Sequence, residues 1–119
     1  MTLTLDRLVD TLKAAAESSR LRILALLSRG DLTVSDLTEI LNQSQPRVSR
    51  HLKLLLEAGL IGRYQEGSWA YFRIADDDTA RELVERGRAR HAFDLRPVNP
   101  QVCVGRMKQA RIQRRLVAK

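Results

Sequence analysis

The sequence holds a single cysteine, Cys103, in 119 residues. No disulfide, cysteine-pair metal site or dithiol switch can therefore form within one chain. Apolar runs are short, none approaching the ~20 residues that span a bilayer, and no basic-then-apolar secretory pattern opens the chain. The expectation is a cytoplasmic protein with no membrane partner. Glycine-rich phosphate loops are missing, and no nucleophile, base and orienting residue form a recognisable cluster. Asp76, Asp77 and Asp78 read as a helix start before they read as a catalytic acid pair. No catalytic residue and no enzyme are expected.

What is present suits one domain, with 44% hydrophobic residues and a length that buries one core. The net charge of +7 points towards a polyanionic partner. Its distribution is uneven. From Arg81 onwards eleven Lys and Arg face three acidic residues, a net +8, so the first eighty residues carry −1. Between Gln45 and Arg73 a local excess of +3 returns, from five cations and two carboxylates.

The most informative stretch is 44–59, SQPRVSRHLKLLLEAG. Ser44 suits a helix cap, Pro46 fits the first turn, and Gly59 suits a left-handed exit, which predicts a helix from about Gln45 to Ala58. At ~100° per residue Val48, Leu52 and Leu55 fall on one side, with Arg47, Arg50 and Lys53 on much of the rest. His51 sits beside the apolar stripe, which fits a half-buried histidine rather than a ligand or a proton switch.

Before it, Leu5, Leu8 and Leu12 have helical spacing behind a Thr4 cap, a stripe to be buried against a partner subunit or against its own domain. Ser18 and Ser19 read as caps for a central core helix ending near Gly30. An extended link at 31–34 leads to a helix capped by Thr33 or Ser35 and carrying Leu37, Ile40 and Leu41. Asn42 takes the left-handed turn residue. Two helices about three residues apart, the second with a polar outer face, make a helix-turn-helix.

After it, 60–74 changes to strand periodicity around Glu66-Gly67-Ser68, an antiparallel hairpin with one face on the helices and the other wet. Arg63 and Arg73 lie on its strands. A further helix is expected from about Asp77 to Phe93 with Leu83 and Val84 inward. The fold class is mainly α with a small β-hairpin, a winged helix-turn-helix over residues 1–95. Residues 96–119 are expected to be a basic C-terminal extension, partly helical. Three readings of it stand: a disordered polybasic arm, a helix added to a dimer, which is favoured, or a linker.

Residues 18–27, 43–53 and 57–60, together with 66–73 (EGSWAYFR), resemble the ArsR family of winged-helix repressors in order and spacing over about residues 3–93. The resemblance implies a homodimer joined by its first and last helices, binding inverted-repeat operator DNA and releasing it on a signal. The middle of the chain is most similar to regulatory domains fused ahead of S-adenosylmethionine-dependent methyltransferases, whose catalytic part is not expected within these 119 residues. That likeness suggests S-adenosylhomocysteine or S-adenosylmethionine as a first effector to try, with no cofactor otherwise expected. Metalloid sensors of the family carry two cysteines where this chain has Thr33 and Ser35. The acid and histidine pairs of other members are not reproduced by Glu82, Glu85, His91 and Asp94. No metal site is expected, so the signal is read as non-metal.

The DNA-binding set is Ser44, Gln45, Arg47, Ser49, Arg50, Lys53, Arg63 and Arg73, with Gln45, Arg47, Ser49 and Arg50 at base edges and phosphates and Lys53, Arg63 and Arg73 on the backbone. Arg and Gln have the donor geometry to read guanine and adenine, each good bidentate pair being worth ~1 to 3 kcal/mol. The dimer set is Leu5, Leu8, Leu12, Leu83 and Val84. The alternative is a winged-helix adaptor that binds a protein through its basic tail.

Overall fold

Short-range polar signals start and stop most of the helices. The computed structural model describes residues 4–89, excepting the side chains of 87–89. Helix α1 (Leu5–Ala15) is capped by Thr4, whose hydroxyl accepts from the Arg7 amide at 3.1 Å. Helix α2 (Ser18–Leu27) is capped by Glu17 and not by the two serines, because the longer carboxylate reaches the Arg20 amide at 2.9 Å. Thr33, rather than Ser35, caps α3 (Val34–Leu41) in a reciprocal box with Asp36. Asn42 closes α3 in the left-handed region at φ 53°, as expected.

Helix α4 (Gln45–Glu57) departs from expectation at its start. Ser44 stays extended but makes no side-chain capping bond. Pro46 removes one of the two amides that a capping side chain can reach, and the other, on Arg47, receives no bond from Ser44. At the other end, the Gly59 amide bonds Leu56 O at 3.0 Å and the Leu60 amide bonds Leu55 O at 3.1 Å. This paired closure needs a left-handed residue, and Gly59 supplies it at φ 75°.

Strands β1 (Ile61–Glu66) and β2 (Trp69–Ile74) pair antiparallel, from Ile61 opposite Ile74 to Glu66 opposite Trp69. Gly67 turns the tip at φ 60°. The expectation of one dry face and one wet face fails at the base of the hairpin. Phe72 enters the core while Tyr71, on the opposite face, is equally buried and stacks on Tyr64 with centroids 5.6 Å apart. A third backbone segment joins the hairpin at the outer edge of β2: Leu32 exchanges two backbone hydrogen bonds with Phe72, at 2.8 and 3.2 Å. The link at 31–34 is thus bonded into the wing.

Helix α5 (Asp78–Ala89) follows Asp77, whose carboxylate accepts from the Thr79 amide at 3.3 Å. Its predicted extension to Phe93, His91, Asp94, Cys103 and the segment 96–119 lie outside the described residues. The core gathers Ile23, Leu24 and Leu26 of α2 with Leu37, Ile40, Val48, Leu52, Leu55, Leu60, Phe72 and Ala80. In α5, Val84 is buried and Leu83 packs partly on this core. Along α1 the small residues Ala14 and Ala15 pack inward, whereas Leu5 and Leu12 are 75% and 53% exposed, with Leu8 and Val9 also exposed. Arg7 of α1 ties to Asp77 at 3.2 Å, fastening the first helix to the start of the last described one.

Candidate nucleic-acid interface

Helix α4 is seated by its apolar stripe. Val48, Leu52 and Leu55 are buried, each contributing on the order of 1.5–3 kcal/mol relative to an exposed side chain. That seat turns Ser44, Gln45, Arg47, Ser49, Arg50 and Lys53 outward, all exposed. Two arginines and Gln45 therefore stand near the positive end of the helix dipole, where an anion is favoured.

Polar contacts with α2 fix how the helix is set. The Gln43 amide, in the turn before α4, donates to Ser19 Oγ at 2.9 Å. His51 Nδ1 lies 3.2 Å from the Arg20 guanidinium and 3.8 Å from Glu17. Arginine can only donate, so Nδ1 accepts and the neutral ring carries its proton on Nε2. Burial pushes the His51 pKa below the ordinary imidazole value; Glu17 pulls it up, and Arg20, Arg47 and Arg50 push it down further. Burial also raises the Glu17 carboxyl, but the Arg20 and Ser19 amides and the neighbouring positive groups outweigh it and leave the pKa lowered. His51 is thus the half-buried, satisfied histidine that the sequence suggests.

The wing treats its two arginines differently. Pairing places Arg63 opposite Phe72 and Arg73 opposite Gly62, so the two side chains leave opposite faces of the hairpin. Arg63 is exposed. Arg73, 48% exposed, lies over the Tyr64 ring with Cζ 4.0 Å from the centroid and bonds Asp31 Oδ2 at 3.2 Å. The Tyr64 hydroxyl donates to the same carboxylate oxygen. Tyr64 and Asp31 hold the Arg73 pKa above the usual arginine value against the opposing effect of partial burial. Asp31 and Tyr64 were not among the expected site residues. Strand parity was a usable signal, since Tyr64, Tyr71 and Arg73 share one face, but nothing local pointed to Asp31.

Residues 17–62 match the family model described as bacterial regulatory protein, arsR family. A solved structure from Mycobacterium bovis, the homodimeric winged helix-turn-helix DNA-binding domain of a possible ArsR-family regulator, is 32% identical with a TM-score of 0.62. It aligns over 73% of this chain and 85% of that one. This chain belongs to the ArsR family. Among curated relatives, the transcriptional repressor SdpR of Bacillus subtilis is 35% identical over 55% of this chain and 72% of its own length. The arsenical resistance operon repressor of Escherichia coli is 44% identical over 56% of this chain and 58% of its own length. The match spans between 49% and 64% of the arsenical repressors from Escherichia coli, Bacillus subtilis and Pseudomonas putida. In this ArsR chain Thr33 is occupied as a helix cap and Ser35 is exposed, at the two positions noted for cysteines in metalloid sensors. Among the described residues no three His, Cys, Asp or Glu side chains converge as a metal site would require.

Proposed function

We propose that the chain is a homodimeric, sequence-specific DNA-binding regulator of transcription, acting as a repressor on a near-palindromic operator. The observation that carries this is the outward face of α4, where Gln45, Arg47, Ser49 and Arg50 project from a helix whose opposite stripe is buried. Such a helix fits the major groove, with these side chains on base edges and phosphates and with Ser44, Lys53 and Arg63 on the backbone. The exposed leucines of α1 supply an apolar surface for a second copy, with α5 beside it. Two copies present their α4 helices about one turn of DNA, ~34 Å, apart. The relatives named as repressors support the assignment of sign.

The release signal is proposed to be non-metal. The likeness of the central segments to methyltransferase-linked regulators makes S-adenosylhomocysteine and S-adenosylmethionine the first candidates, and a thermal shift with each compound tests them. The adaptor alternative rests on the basic tail, which lies outside the described residues.

The deciding experiment enriches duplexes from a random-sequence pool and titrates the winner in a gel shift. Arg50→Ala is expected to weaken binding by about 1–3 kcal/mol and to relax preference at one position in each half-site, with the dimer intact. Binding as tight as wild type would refute the role given to α4.

A further inference from the structure

The loop after α2 holds a side chain that reaches both strands of the wing. Asp31 is 14% exposed at its side chain, and one of its carboxylate oxygens receives the Tyr64 hydroxyl from β1 and the Arg73 guanidinium from β2. Arg73 in turn covers the Tyr64 ring, which stacks on buried Tyr71 at an interplanar angle of 23°. The next residue, Leu32, bonds the backbone of Phe72. These contacts act together. Backbone pairing ties β2 to the loop after α2, and the Asp31 carboxylate ties both strands to the same loop through one charged and one neutral donor.

A two-stranded hairpin is marginal by itself in water. Its tip extends beyond the core, with Trp69 45% exposed and Gln65 and Ser68 also exposed. A small rotation at the base therefore moves the tip a long way, and a wing that swings freely must lose that freedom when it binds. A guanidinium already bonded to a carboxylate and stacked on a ring has less reach and fewer free donors to offer a phosphate.

From this geometry we propose that Asp31, acting through Arg73 and Tyr64, is a positioning residue that presets the wing for DNA, and that Arg73 is part of this clamp and not a phosphate contact. The inference rests on the DNA-binding reading above and revises the role expected for Arg73. It leaves Arg63, on the other face of the hairpin, as the wing arginine that meets the backbone.

The test compares Asp31→Asn, Arg73→Gln, Arg73→Lys, the double variant of Asp31→Asn with Arg73→Gln, and Arg63→Gln, on the duplex enriched by wild type. Each clamp variant is expected to weaken binding about tenfold at every salt concentration, with the slope of log K against log salt unchanged. The double variant falls no further than either single one, because both break the same contact. Arg73→Lys fails like Arg73→Gln, since lysine keeps the charge but lacks the planar fork and the ring stacking. Arg63→Gln, by contrast, lowers the slope by ~0.9. Trp69 is the chain's one tryptophan and reports on the wing without DNA. Its fluorescence anisotropy is expected to drop in the clamp variants while the circular dichroism of the helices and the thermal midpoint stay close to wild type.

A slope reduced by ~0.9 in Arg73→Gln, with binding preserved in Arg73→Lys, would make Arg73 a phosphate contact and overturn the clamp. Unchanged Trp69 anisotropy together with additive losses would overturn it as well. A wild-type chain that enriches no duplex would instead overturn the DNA-binding reading, and the clamp's role in binding with it.

Discussion

Helix α4 and the wing both present arginines, yet they are held in opposite ways. The α4 helix is anchored by apolar burial on one face, which leaves Arg47 and Arg50 exposed on the other. The wing is anchored near its base by a charged group, and that anchor takes one of its two arginines. An exposed cation can thus still be bonded within its own chain. Arg73 is about half exposed and still bonded to Asp31.

The sharpest way to break this comparison is through the buried seat of α4. Leu52→Ala removes a side chain that is 2% exposed and is expected to cost ~2–5 kcal/mol, through lost transfer energy and the cavity left behind. Urea unfolding measures it. A loss under about 1 kcal/mol, no more than an exposed ion pair contributes, would mean that apolar burial is not what fixes the helix.

A smaller effect is expected at the junction of the two regions. Gly59 turns the chain from α4 into the wing at φ 75°, and a Cβ there would also meet Arg7 Nη2 at 2.5 Å. The guanidinium is the far end of a flexible side chain and can move away, so backbone strain dominates. Gly59→Ala is expected to destabilise by ~1–2 kcal/mol in the same unfolding assay. An unchanged midpoint would show that the junction tolerates a different exit.

The smallest effect concerns protons. The folded His51 has a lowered pKa, so below the ordinary imidazole value of about 6.5 the unfolded chain binds more protons than the folded one. Stability is therefore expected to be flat above that pH and to fall as pH drops through it. Glu17, also lowered, adds a loss of the same sign below its ordinary 4.5. Urea midpoints across this range check the sign, and His51→Gln should flatten the upper part. A midpoint that rises on acidification would contradict a neutral His51 accepting from Arg20.

Much of the frame was legible without coordinates. The Gly59 exit, the Asn42 turn, the Gly67 tip and the buried stripe of Val48, Leu52 and Leu55 all stand where their neighbours within one or two turns place them. The same local reading slipped where two short-range candidates competed. Glu17 displaced the serines after it as the cap of α2, and Ser44 makes no capping bond. Sequence also placed Arg47, Arg50 and Lys53 on the exposed side of α4, because exposure on an amphipathic helix follows from its period.

What only the folded chain decided is partnership. Asp31 meets Arg73 across 42 residues and Tyr64 across 33, while His51 meets Arg20 across 31. Leu32 joins the edge of β2, and Tyr71 and Phe72, on opposite faces of that strand, are both buried. Helix and turn signals act through backbone groups a few residues apart, so they can be read along the chain. Which carboxylate claims which arginine depends on how helices and strands pack, and no local period encodes that.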